Sequence, residues 1–224
     1  VRDTGPAARK LPVASIIETD LRRMTSPEDW MEALTGIDAV VNCAGALQQS
    51  VRDDLASVHL AAPAALCQAG ERTGVRRIIH FWAMGADRSG LTEFSSSKGA
   101  AERILVASTL DWVILRPSVV VGGPAYGGSA LMRGLASLPL VPRLRGAGRI
   151  SVVQLDDVAE TVVRLLQPGA LTKVAIDLAG PEPLEFEQVV ARYREWLGWR
   201  PARVVQLPGA LMSLAYIFGD LAGR

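Results

Sequence analysis

Apolar runs of strand length alternate with helix-length stretches through the first half of this chain, and few folds accommodate that order. The runs cover residues 13–20, 37–45, 77–81 and 111–118. Ser26-Pro-Glu-Asp29 opens the first intervening helix with a capping serine, a proline at its first position and acids in its first turn, and Gly36 stops it. Residues 58–74 make a second helical stretch. Phe94-Ser-Ser-Ser-Lys98 heads a third, which continues through Gly-Ala-Ala-Glu-Arg-Ile-Leu. Strands and helices alternating at this spacing predict βαβ units, and hence an α/β fold with a doubly wound parallel sheet and right-handed crossovers.

In such sheets a ligand lies beyond the carboxyl ends of the strands. The residues that directly follow a strand are therefore the candidates for contact: Asp20 with Leu21, Ala44 with Gly45, Trp82 with Ala83, and Pro117 with Ser118. Phe94 and Lys98 are four apart, so on a helix they share one face and can point into one cleft. Taken alone, Lys98 reads more readily as a solvated lysine behind a serine cap, and the surrounding order of elements shifts that balance. Asp20 and the Ala44-Gly45 pair read equally as a turn former and a tight strand exit.

Composition removes several alternatives. A net charge of +1 and the lack of any Lys/Arg block argue against a nucleic-acid partner. Cys43 and Cys67 sit in apolar segments and form no CxxC, which predicts reduced, buried thiols in a cytoplasmic protein. His59 and His80 have no Cys or carboxylate at ligand spacing, so no metal site is expected.

After residue 118 the alternation loosens into a glycine-rich stretch at 121–128, a short helix at 129–138 and a basic stretch at 143–149. Asp156-Asp157 caps a helix over 158–166 that Pro168-Gly169 ends, and a strand follows at 174–178. A helix over 185–197 carries Phe186, Val189, Val190, Tyr193 and Trp196 at helical spacing, which predicts a core face. The tail from Val204 to Gly219 is uncharged over sixteen residues. A membrane helix needs about 20, so a docked amphipathic helix is expected, with membrane contact as the alternative. The expected division is 1–120 for an incomplete dinucleotide-binding domain, 121–203 for a cap and substrate region, and 204–224 for the apolar tail.

The order of motifs resembles the short-chain dehydrogenase/reductase superfamily in its extended or atypical branch, over nearly the whole chain. Asp20 after a strand, Asn42-Cys-Ala-Gly45 at the next strand end, Phe94-x-x-x-Lys98, Leu115-Arg-Pro-Ser118 and Gln154-Leu-Asp-Asp-Val158 carry the resemblance. The tail is similar to bacterial members in which a DoxX-like membrane domain follows, and the accessory nucleotide-binding subunit of respiratory complex I is a more distant relative. The resemblance implies a Rossmann-like sheet, a bound NADP or NAD, and an oxidoreductase or epimerase-like activity on a small molecule. It implies cofactor contacts at Arg2, Asp20, Leu21, Ala44, Gly45, Lys98, Pro117 and Ser118. Arg2, following the second strand of the family, would accept a ribose 2′-phosphate and favour NADP, although Asp3 is adjacent. The substrate pocket would be built from the region after Val119.

The chain also departs from the family. The glycine-rich turn that lets a pyrophosphate approach a helix amino terminus is not present, and Gly146-Ala-Gly148 precedes a strand, so it does not qualify. The expectation is that the first βα unit lies upstream of residue 1. By the resemblance the catalytic tyrosine position is Phe94, the serine position is Trp82, with Ser89 or Ser95 serving only if the local register shifts, and the helix asparagine aligns near His59. Of the catalytic set Lys98 alone survives, and it can still hydrogen-bond a ribose. Two functions follow: an oxidoreductase in which Tyr126 or His59 replaces the missing acid, or a non-catalytic dinucleotide-binding module acting as sensor, assembly factor or membrane-linked regulator.

Overall fold

A computed structural model describes residues 15–45, 54–82, 84, 102–123, 127–143 and 148–206. The chain divides into two compact units, one of residues 1–115 with 168–176, the other of residues 116–167 with 177–224.

In the first unit, helix α1 (Glu28–Leu34) leads to strand β1 (Ala39–Asn42), helix α2 (Ala62–Thr73) to strand β2 (Arg77–Phe81), and a helical stretch at 102–107 to strand β3 (Asp111–Pro117). β1 pairs parallel with β2 from Ala39↔Arg77 to Asn42↔His80, and β2 pairs parallel with β3 from Arg77↔Asp111 to Phe81↔Leu115. A later strand from Val174–Leu178 lies beside β3 and completes a four-stranded sheet, with β1 at its opposite edge. The parallel α/β architecture is the one the alternation predicts.

The sequence logic of this unit is burial on both sides of the sheet. Ile78, Ile79, Val113, Ile114 and Leu115 are consecutive along their strands and all are fully buried. Continuous apolar runs of this kind belong to strands covered on both faces. Leu34 of α1 and Leu66, Cys67 and Ala69 of α2 close over Ile78, Trp112 and Ile114. At α2 the chain starts with a π turn over Ser57–Ala61, where the Asp54 carboxylate accepts from the Ser57 amide at 3.2 Å. Gly74 ends it at φ 83, a left-handed conformation that glycine adopts without a Cβ penalty.

Two expectations need correcting here. The β-rich run at 13–20 forms no strand over its described part, 15–20. A strand needs a ladder partner, and β propensity alone does not supply one. Asp20 instead caps a 3-10 turn, Leu21–Arg23, its carboxylate accepting from the Arg22 amide at 3.1 Å. Cys43 is exposed, because it lies where β1 runs out of the sheet. Cys67 is buried as expected, and burial beside Glu71 pushes its thiol pKa up to about 12.

The second unit contains β4 (Val120–Val121), α3 (Gly127–Ala136), β5 (Leu140–Arg143), β6 (Ile150–Ser151), β7 (Val153–Gln154) and α4 (Leu155–Leu165). The strand Val174–Leu178 is β8 in chain order, and β9 (Pro183–Leu184), α5 (Phe186–Trp196) and β10 (Arg203–Gln206) follow it. β4 pairs with β7, β6 with β9 and β5 with β10. α3 and α5 share a core of Met132, Ala136, Val189, Val190 and Tyr193. At the start of α5 the Gln188 side chain reaches back to accept the Glu185 amide at 2.7 Å. Residues 204–206, expected to open a docked helix, extend β10 instead, and residues 207–224 lie outside the described residues. Trp196 also departs from its expectation as core, since it is 61% exposed.

Candidate functional site

The parallel strands of the first unit bring their carboxyl ends to one edge, and β1 and β2 shape it. Asn42 is the last residue of β1 and stands opposite His80 in the parallel register. Its Oδ1 accepts from the Ala44 amide at 3.1 Å, folding residues 42–44 into a tight side-chain-closed turn. That bond aims the Asn42 Nδ2 at the Nδ1 of His80, 3.0 Å away. An amide NH2 only donates, so His80 Nδ1 is the acceptor and the ring proton sits on Nε2.

His59, on the π turn before α2, is buried. A Cβ added at Gly45 would stand 3.8 Å from His59 Nε2, so the glycine and the imidazole lie at ordinary van der Waals spacing. The turn Leu21–Arg23 that Asp20 caps packs against the π turn carrying His59. Asp20, Leu21, Ala44, Gly45 and His59 are thus gathered at one end of the first unit. A backbone of small residues at the end of a parallel strand leaves room for a ligand to approach closely.

Trp82 follows β2, its amide donating to the Leu115 carbonyl at 2.7 Å. Its indole is 4% exposed and its ring centroid lies 5.6 Å from that of His80. Where the resemblance calls for a serine, the chain has a large aromatic ring locked in the core. Pro117 ends β3, and the Ser118 amide donates to the Leu178 carbonyl at 2.8 Å. Arg2, Phe94, Lys98 and Tyr126 lie outside the described residues. Among the described residues no cluster of three or more His, Cys, Asp or Glu could hold a metal ion, and no helix is long and apolar enough to cross a membrane.

The Asn42–His80 pair escapes sequence reasoning because its members are 38 residues apart and neither type is diagnostic. Replacing Asn42 with alanine removes both of its hydrogen bonds and is expected to cost about 1–2 kcal/mol. Urea denaturation of the two proteins checks this, and a loss below the resolution of the measurement would mean the turn holds without them.

Residues 1–168 match the family model described as NAD(P)H-binding. The chain belongs to this NAD(P)H-binding family. It is 30% identical over 177 residues to the UPF0659 protein YMR090W of Saccharomyces cerevisiae, covering 75% of this chain and 73% of that one. It is 28% identical over 165 residues to the uncharacterized sugar epimerase YhfK of Bacillus subtilis, covering 71% of each. Among solved structures it is similar to the Bordetella bronchiseptica enzyme WbmG in complex with NAD and UDP, with a TM-score of 0.69 and 20% identity over 88% of this chain and 69% of WbmG. The NAD(P)H-binding protein is therefore an atypical short-chain dehydrogenase/reductase-like member of that family, with a Rossmann-like sheet.

The family's tyrosine chemistry needs a hydroxyl with a proton to move, and Phe94 supplies none.

Proposed function

We propose that this NAD(P)H-binding protein works as a dinucleotide-responsive module and does not carry out tyrosine-dependent carbonyl reduction. The observation that carries this reading is the buried Trp82 indole at the end of β2, beside His80, where the reaction would need a substrate-orienting hydroxyl. Phe94 at the proton donor's position supports it from the sequence. Asp20, Leu21, Ala44 and Gly45 hold the adenosine half, Lys98 holds the nicotinamide ribose, and Arg2 receives the 2′-phosphate of NADP. Bound, the dinucleotide supplies hydride chemistry; the residues of this chain bind and orient it.

A second reading keeps the oxidoreductase activity. It is favoured by the epimerase name of one relative and by His59, an imidazole beside Gly45 that could stand in as the acid. In that reading, turnover falls when Lys98 is replaced by alanine.

A fluorescence titration with NADPH and NADH, followed by steady-state assays on a carbonyl panel, separates the two. The expected result is saturable binding of both, with NADPH about ten-fold tighter, a ratio worth about 1.4 kcal/mol. The ratio is expected to collapse in Arg2→Ala, with no sustained turnover of any carbonyl. Steady turnover would replace the module with the oxidoreductase, and failure to bind either dinucleotide would end both readings.

A further inference from the structure

His80 is buried at the end of β2, and two hydrogen bonds tie its ring to the backbone beyond β1. Its Nδ1 accepts from the Asn42 Nδ2 at 3.0 Å, and the Asn42 Oδ1 accepts from the Ala44 amide at 3.1 Å. A backbone N–H only donates, so the second bond fixes which end of the Asn42 amide carries the oxygen. The first bond then requires a bare Nδ1. Both bonds stand together only while the imidazole is neutral.

Histidine is the side chain that ordinarily changes charge between about pH 5 and 8. A proton on His80 Nδ1 would meet the Asn42 NH2 donor to donor. Turning the amide over would give the ring its oxygen, but the NH2 would then meet the Ala44 N–H. The amide has a single oxygen and its two neighbours stand at opposite ends of it, so one bond is lost in either orientation. In the turned orientation, the lost bond is the one that closes residues 42–44.

The groups around the ring leave this choice to Asn42. In register, Asn42 on β1 and Ile114 on β3 flank His80, and the Trp82 ring lies 5.6 Å from it. Ile78, Trp82, Trp112 and Ile114 share its face and belong to the cluster that Leu66, Cys67 and Leu105 cover. Cys67 is the titratable member of that cluster, and at a pKa of about 12 it stays a neutral thiol. Arg116, two residues beyond Ile114 on the same face of β3, is a cation. On the covering helices, Glu28 is held by Arg72 at 2.8 Å and Glu71 by the Thr109 amide at 2.7 Å. Glu102 and Arg103 are adjacent and opposite in charge, and His59 on the π turn is the second imidazole of this unit.

We propose that the Asn42 amide is a proton-sensitive latch: protonation of His80 turns it over, opens the 42–44 turn and weakens dinucleotide binding at Ala44 and Gly45. The link to affinity rests on the place given to those two residues under the proposed function, whereas the latch itself rests on the hydrogen bonds. Asn42 acts through the turn and is a positioning residue.

The test follows the whole chain by NMR from about pH 7.5 to about 5.5, reading the His80 ring nitrogens, the Asn42 NH2 and the Ala44 amide. The chain has two histidines, and the spectrum of His80→Asn, which keeps an acceptor near the Nδ1 position and takes up no proton, identifies the ring. The Asn42 and Ala44 signals are expected to move with His80 protonation and to stay still in His80→Asn. NAD, whose pyrophosphate keeps its charge over this range, is expected to bind about five-fold more weakly at the lower pH, the effect of one lost hydrogen bond. In Asn42→Asp the carboxylate accepts both from Ala44 and from a protonated ring. His80 there takes up its proton at higher pH than in the unmodified chain, and the acid loss of affinity disappears. A His80 ring that protonates without moving the Ala44 amide, or that stays neutral throughout, would overturn the latch. Movement of the amide with pH-independent NAD affinity would overturn its link to binding. Failure to bind NAD at either pH would end the proposed function, and the NMR series would still decide the latch.

Discussion

Replacing Phe94 with tyrosine is expected to raise NADPH-dependent carbonyl reduction about a hundred-fold above the level of the unmodified chain, the lower end of what a positioned acid or base contributes. The substitution adds one hydroxyl four residues before Lys98, a spacing that on a helix would put the two on one face. A lysine cation one turn away lowers a phenol pKa and so eases proton transfer at neutral pH. The background rate is set by the dinucleotide and substrate meeting without an acid, which is why the gain should be large and should appear in kcat. Steady-state assays with a simple ketone over a pH series measure it. The gained activity should follow a single ionisation that Lys98→Ala moves upward.

A flat result would place the deficiency at Trp82. Restoring a serine there is not a simple reversal, because the indole is 4% exposed and packs in the core of the first unit. Emptying such a site costs about 3–5 kcal/mol by the behaviour of buried Trp and Phe truncations. The chain therefore has a structural stake in the Trp82 ring. The proposed role, which does not depend on the tyrosine mechanism, is consistent with Phe94 and the buried Trp82 at the positions where the resemblance calls for tyrosine and serine.

The parts of this fold that sequence reveals are those fixed by local pattern. The strands β1, β2 and β3 are apolar runs too short for helices, and Gly36 and Gly74 mark the turns that end α1 and α2 with positive φ. What sequence hides depends on partners. Residues 15–20 have strand composition, yet no described strand pairs with them. Cys43 has apolar neighbours, yet it sits where β1 leaves the sheet and is exposed. Tyr193 and Trp196 share the face of α5 that reads as core, and helical spacing cannot tell that the face borders a cavity. Likewise Asn42 and His80 meet only because β1 and β2 are parallel and in register. The relation between Phe94 and Lys98 is an expectation from spacing, and both residues lie outside the described part of the structure.

Ile114→Ala is expected to destabilise the protein by about 3–4 kcal/mol, the middle of the range for an isoleucine emptied from a core. Ile114 is fully buried on β3, which has β2 on one side and β8 on the other. Neighbours on both sides hold the backbone in place, so the cavity can close only by side-chain movement, and that keeps the cost above simple transfer. Leu131→Ala is the matched control, since Leu131 is 62% exposed and its truncation should stay within about 0.5 kcal/mol. Urea denaturation with an unchanged slope for both variants would assign the difference to stability; a changed slope for Ile114→Ala would mean that the cooperative unit itself had altered. The functional consequence separates global from local effects. The register Phe81↔Leu115 positions the end of β2, and with it His80 and Trp82. If the sheet unfolds as one unit, the folded fraction of Ile114→Ala binds dinucleotide with native affinity, and only the titration endpoint falls. If the end of β2 loosens first, the dissociation constant rises while the endpoint holds. A typical domain has about 5–15 kcal/mol in total, so the substitution uses a large share of it without touching a residue proposed to contact the ligand.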